Sequence, residues 1–354
     1  MTENGAVTLE DVAREAEVSV STASRTLNGR TGRVSETTQA RVRAVATRLG
    51  YATNLAAQAV ALGRSRAVGL VVGDIPDDYQ NPVMTGVFHA ATKRGMLVTT
   101  AVAQTAAIDA TSSAIRLLRG QRPSVIVYVG TDSSTSEGMT ELAAELTHAE
   151  AEGCRVVVIG VAGMPFDSVV VDDRRAAAAL ASSLAGIGYR DPMIVGGVGL
   201  GQISRDRTAG FIEGWAQSGL TVPLDRVLQQ ASSHDGGYRA AGEILRRQPL
   251  PDVVFCVNDS MAIGLSVRLR EQGIVIGRDI AVAGCDDMPA LRDIDPPLTT
   301  IHLPWLEAAE EAFRLAESEE RASGRCVVLE GYPVLRTSTP ELTDALSPVP
   351  HTHL

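Results

Sequence analysis

From Arg66 onward, short apolar runs alternate with helix-length amphipathic stretches, and no other feature constrains the fold as much. The runs read AVGLVVG, MLVTTAVA, SVIVYVG, RVVVIG, MIVGGVG, DVVFCVND and IAVAGCDD. Runs that are apolar throughout and spaced by helices mark parallel strands covered on both faces. More than eight candidate strands over about 270 residues favour two doubly wound lobes over one sheet. In such folds ligands bind at the carboxyl ends of the strands. The glycine-rich VGGVGLGQ lacks the GxGxxG order before a helix, so no nucleotide cofactor is expected.

The first 52 residues follow a different rule. Thr8 and Asp11 have capping-box spacing, and Leu9, Val12, Ala13 and Ala16 then recur with helical period. A second helix starts on Ser19 and is expected to bury Val20, Ala23 and Leu27, leaving Ser21, Thr22, Arg25 and Thr26 outward. A third starts on Ser35, buries Val42, Val45, Ala46 and Leu49, and stops at Gly50. Two helices joined by so short a turn form a helix-turn-helix. Residues 53–65, rich in Ala and poor in charge, read as a linker too short to be a stable helix alone. Residues 341–354 read as a disordered tail.

Charge separates the parts. The first 64 residues carry eight Arg against six Asp or Glu, whereas the remainder carries 24 basic and 36 acidic residues. A basic head on an acidic body suggests that the head meets a polyanion. Three of the four cysteines lie in or beside apolar runs with no metal-ligand spacing, which fits a reduced compartment. No apolar run reaches the ~20 residues of a membrane span, and the start lacks a secretory pattern. A cytoplasmic protein with no membrane partner and no metal is the expectation.

The stretch Ser19–Arg30, SVSTASRTLNGR, crowds small hydroxyls around an arginine. A helix entering the major groove needs hydroxyls for phosphates and a longer side chain for base edges. A solvated Ser/Thr-rich helix in a small bundle would read the same way.

VTLEDVAREAEVSVSTASRTLN followed by VSETTQARVRAVATRLGYATN closely resembles the lac repressor (LacI/GalR) family of bacterial transcription regulators. The resemblance returns in PDVVFCVNDSMAIGLSVRLREQGI and DIAVAGCDDMPALRDIDPPLTTIHLP, so it spans nearly the whole chain. It implies a small all-α helix-turn-helix head on an α/β body of two doubly wound parallel-sheet lobes of periplasmic-binding-protein type, covering residues 66–340. It implies further that Val20, Ser21 and Arg25 read bases, while Thr8, Ser19, Thr22, Ser24, Asn28, Ser35 and Thr38 hold phosphates. The loop before Ser35 is one residue longer than usual, which leaves open whether Arg30 or Arg33 reaches DNA; Arg33 is included as a candidate. Asn54, Ala57 and Val60 match the family's hinge, where Val60, or Leu62 nearby, stands in for a minor-groove wedge. Glu17 occupies a turn position where relatives usually carry Gly.

For the body the resemblance implies a homodimer on a palindromic operator, switched by a small effector held between the lobes. Asp74, Arg207, Asp259, Asp286 and Trp305 match effector-contact positions. Asp259 could instead cap the following helix, and Trp305 could simply pack in the core. Carboxylates with an arginine suit a polyhydroxyl compound such as a sugar, although Ser232 stands where several sugar-responsive members place an aromatic. A repressor without enzymatic activity is the expectation, since no GxSxG and no Ser/His/Asp grouping is found. The alternative is a sugar-binding protein of the same two-lobed design that does not bind DNA.

Overall fold

A computed structural model describes residues 7–28, 34–52, 65–72, 80–102, 108–130, 136–198, 201–247, 249–320 and 324–342. The chain divides into two compact units, Met1–Ser65 and Arg66–Leu354.

In the first unit, helices α1 (Leu9–Glu15), α2 (Val20–Leu27) and α3 (Glu36–Leu49) each start on a hydroxyl cap. Thr8 Oγ1 accepts from Asp11 N at 3.2 Å while Asp11 Oδ2 accepts from Thr8 N at 3.0 Å, a complete capping box. Ser19 and Ser35 accept from the amides of Thr22 and Thr38. Val12, Ala13, Ala16, Ala23, Val42, Val45 and Ala46 form the core. On α2 one expectation is reversed: Val20 is 44% exposed and Thr26 only 1%. The buried stripe is centred between Ala23 and Thr26, which turns Val20, in the first helical turn, away from it.

α1 ends in a Schellman motif, with Val18 N donating to Ala13 O and Glu17 N to Arg14 O. The motif forces Glu17 to φ +52°, where a side chain costs about 1 kcal/mol. Glu17→Gly is therefore expected to stabilise this unit by about 1 kcal/mol, read as slower amide exchange in α1–α3. The hydrogen bonds from Thr8, then the contact with Arg14, hold the Asp11 carboxyl down at about 2. Because the folded form is the stronger acid, this contribution is complete above the usual carboxylate range and is lost as pH falls toward 2. Thr8→Ala should move the acid fraying of α1 to higher pH, measured by the same exchange.

The second unit holds two parallel sheets. The first has the order β2 (Leu97–Val102), β1 (Ala67–Val72), β3 (Val125–Val129), β4 (Arg155–Ile159), β5 (Asp167–Val171), β11 (Cys326–Leu329). The second has the order β7 (Val227–Ala231), β6 (Pro192–Val198), β8 (Val253–Cys256), β9 (Ala281–Ala283). The helices are α4 (Gln80–Lys93), α5 (Ile108–Gly120), α6 (Ser136–Ala151), α7 (Asp173–Gly186), α8 (Gly201–Gln217), α9 (His234–Ile244), α10 (Asp259–Glu271) and α11 (Trp305–Glu317).

Strands β1, β3 and β8 are apolar throughout because both faces are covered. Leu70 belongs to the same buried cluster as Val83 and Val87 of α4 and Phe313 of α11, while its neighbour Val71 belongs to a separate one with Ile115 of α5 and Leu146 of α6. In the second lobe α7 and α8 touch backbone to backbone: a Cβ on Gly210 would lie 2.0 Å from Arg174 O, and one on Gly214 2.1 Å from Ala178 O.

The chain crosses between lobes three times. It leaves the first sheet after β5, returns in α11, adds β11 to the first sheet, and crosses again into β12 (Tyr332–Val334). β12 pairs antiparallel with β10 (Thr300–His302), a ribbon the alternating pattern does not announce. The body also runs past residue 340, since Leu342 N donates to Ile187 O at 2.9 Å; residues 343–354 lie outside the described residues. Among the described residues no helix is long and apolar enough to cross a membrane.

Candidate functional site

Two groupings stand out, one in each unit. On α2, the positions of Val20, Ser21, Ser24, Arg25 and Asn28 fall within a 140° arc of an ideal helix. Val20, Ser21 and Arg25 are exposed, and Ser24 and Asn28 half-buried. Ser19 Oγ lies 2.9 Å from Ser21 Oγ and 2.8 Å from Thr22 Oγ1, so the first turn carries a knot of hydroxyls. Asn28 Nδ2 donates to Ser24 Oγ at 3.2 Å. Ser35 Oγ repeats the knot at α3, 2.9 Å from Thr38 Oγ1. Thr8, Ser19 and Ser35 thus already work as caps. Arg48 is tied to Glu15 and Arg14 to Asp11, whereas Arg25 forms no ion pair among the described residues. An uncommitted guanidinium above small hydroxyls can meet phosphates and a base edge. Arg33, Asn54, Ala57, Val60 and Leu62 lie outside the described residues.

In the body, Arg207 of α8 is fully buried at the carboxyl ends of the second sheet. Its Nε donates to Asp173 Oδ1 at 2.7 Å and its Nη1 to Val257 O at 2.7 Å. Its Nη2 lies 3.0 Å from Asp286 Oδ1. That contact is an ion pair without hydrogen-bond alignment, so neither Nη2 nor either Asp286 carboxylate oxygen has an aligned hydrogen-bond partner among the described residues. Burial opposes the charge on Arg207, but the Asp173 and Asp286 carboxylates outweigh it and hold the guanidinium protonated far above any ordinary pH. Burial pushes Asp286, Asp259 and Asp173 up, against the pull of Arg207. One guanidinium among three such carboxyls is an environment prepared for further polar partners.

The backbone beneath is strained. Asp286 has φ +121° and Asp287 φ +52°, each worth of order 1–3 kcal/mol in a non-glycine residue. Asp287 is clamped by Arg336 Nη2 at 2.5 Å and by His302 Nδ1 at 3.0 Å. Strain held this firmly accompanies ligand clamps more often than bare scaffolding.

The other sequence candidates fall differently. Asp259 is buried and committed: Oδ1 accepts from Thr300 Oγ1 at 2.7 Å and Oδ2 from Met288 N at 2.8 Å. The helix cap at that point is Asn258, whose Oδ1 accepts from Met261 N at 2.8 Å. Gly284 makes room for the arrangement, since a Cβ there would lie 2.2 Å from Asp259 Oδ1. Trp305 is 3% exposed and packs in the core at the first turn of α11. Ser232 Oγ donates to Val198 O at 3.1 Å. Asp74 lies outside the described residues. The geometry thus joins Arg207 with Asp286 and adds Asp173, which sequence reasoning missed. Its only local signal is an acid in the first turn of a helix, which most often serves the helix dipole.

Residues 8–54 match the model of bacterial regulatory proteins of the lacI family, and residues 181–339 that of a periplasmic binding protein-like domain. The HTH-type transcriptional repressor PurR of Vibrio cholerae is 29% identical over 310 residues, covering 87% of this chain and 90% of its own. Among solved structures, the lac repressor dimer bound to operator and the anti-inducer ONPF superposes with a TM-score of 0.78 at 22% identity, over 95% of this chain and 99% of that one. The transcriptional regulator CelR in complex with cellobiose gives 0.67 at 25% identity, over 94% and 100%.

Proposed function

Because the chain belongs to the lacI family of bacterial regulatory proteins, we propose that it is a DNA-binding transcriptional repressor whose operator affinity is switched by a small effector. The observation that carries this reading is the exposed face of α2, where Arg25 has no ion pair among the described residues while Arg14 and Arg48 are tied down. Arg25, Ser21 and Val20 read base edges. Ser19, Thr22, Ser24, Asn28, Ser35, Thr38 and Thr8 position the phosphates, Arg33 is a further candidate for DNA contact, and Asn54, Ala57 and Val60 form the hinge, with Val60 or Leu62 as its minor-groove wedge.

The effector is a polyhydroxyl compound of the sugar class, a reading supported by the structure of CelR in complex with cellobiose. Arg207 and Asp286 are its central contacts, because they combine burial, opposite charge and unaligned hydrogen-bonding groups. The family resemblance adds Asp74 and Trp305 as further contacts, and Asp259, held by Thr300 and the Met288 amide, supports the group. The protein acts as a homodimer on a palindrome, as the operator-bound lac repressor does, so that two weakly basic heads reinforce one another.

Selection of random duplex DNA with the purified protein tests this, followed by affinity for the winner with and without individual sugars. A palindrome whose binding one sugar shifts by about 5- to 150-fold is the expected result. Failure to enrich any palindrome would overturn the operator reading, and a palindrome indifferent to every sugar would overturn the effector class.

A further inference from the structure

Helix α8 has two working faces. Ile203, Arg207, Phe211 and Trp215 are buried in the core. Arg205, Thr208, Ala209 and Ile212 lie roughly opposite and line a cleft of about 420 Å³, closed by Val198 and by Gln229 of β7. That volume suits a small organic molecule better than a single ion.

The walls divide by chemistry. Val198, 63% exposed, Ala209 and Ile212 offer an apolar surface. Ser204 is 4% exposed; its Oγ accepts from Gly197 N at 2.9 Å and keeps its own proton to donate. Thr208 Oγ1 is buried with no hydrogen-bond partner among the described residues. Arg205 donates from Nε to Gln202 Oε1 at 3.0 Å and enters no ion pair among the described residues, which leaves its terminal nitrogens uncommitted. Among the described residues no carboxylate lines the cleft. A free guanidinium beside two hydroxyl donors favours an oxyanion.

We propose that this cleft is a second small-molecule site that takes an organic oxyanion, a carboxylate or a phosphate monoester. The anionic head meets Arg205, Ser204 and Thr208, and the carbon body lies on Val198, Ala209 and Ile212. The site is centred on the face of α8 that carries Arg205, Ala209 and Ile212, turned away from Arg207, and does not depend on the operator reading.

Isothermal titration of the full chain, without DNA, tests it with phenyl phosphate and benzoate as whole ligands. Inorganic phosphate supplies the head alone and benzyl alcohol the body alone. Saturable binding of one acid per chain is expected, about tenfold tighter than either fragment, and the preferred acid identifies the head group. Arg205→Gln should weaken it about tenfold or more. Ala209→Leu, which fills the cleft, should abolish it, and Arg239→Gln, an exposed arginine of α9, should leave it unchanged. No saturable binding of either acid would overturn the proposal. So would an Arg205→Gln protein that binds as the parent does, or an equal loss in Arg239→Gln.

Discussion

Replacing Arg207 by Met is expected to destabilise the body by about 3–5 kcal/mol, because it leaves buried carboxyls without their cation. Asp173 loses a 2.7 Å hydrogen bond, Val257 O loses another, and Asp286 loses its counter-charge. Methionine fills most of the same volume, so the effect belongs to the charge and not to a cavity. Both tryptophans, Trp215 and Trp305, lie in the second unit, so fluorescence in urea reports on the body alone. Adding Asp173→Asn and Asp286→Asn should recover part of the loss, since the carboxyls no longer need the guanidinium. An Arg207→Met protein as stable as the parent would mean that all three carboxyls are neutral in the fold. Operator affinity should survive in the variant while the sugar response disappears, since Arg207 is proposed as an effector contact and belongs to the second unit, whereas the proposed DNA-reading residues belong to the first.

Local features are legible in the sequence alone. The Thr8, Ser19 and Ser35 caps each start a helix, Gly50 ends the third with φ +67°, and all seven apolar runs contain strands. Each of these depends on neighbours within a few residues, so spacing carries the information. Val20 and Thr26 exchange their expected places because eight residues of helix present too few apolar positions to fix the phase of the buried stripe. The β10–β12 ribbon has three residues per strand, including Pro333, and no alternation a reader could use. Asp173 meets Arg207 across 34 residues, and nothing near either position announces the pairing. Asp259 has a place at a strand end that suggests a ligand contact, and its bond to Thr300, 41 residues away, is equally unannounced.

In the head, Arg25→Ala is expected to cost about 1–3 kcal/mol per half-site, the worth of one bidentate arginine–guanine contact. On a palindrome two heads lose it together, so operator affinity should fall by about thirtyfold at the least and by about 10⁴-fold at the most. Stability should stay within about 0.5 kcal/mol, because Arg25 is exposed and makes no ion pair among the described residues. The pattern of the loss matters more than its size. A base reader gone blind relaxes the preference at one base pair in each half-site and leaves non-specific affinity nearly intact. Removing a phosphate anchor would instead weaken all sequences alike and lower the salt slope by about one per head. Fluorescence anisotropy on the selected palindrome, on variants at each position and across a salt series separates the two. The hydroxyls around Arg25 sharpen the comparison, since they carry no charge and their removal leaves the salt slope unchanged. Ser21→Ala should therefore cost less than Arg25→Ala at every salt concentration. If the two losses are equal, the hydroxyl knot at Ser19, Ser21 and Thr22 anchors α2 and Arg25 only accompanies it.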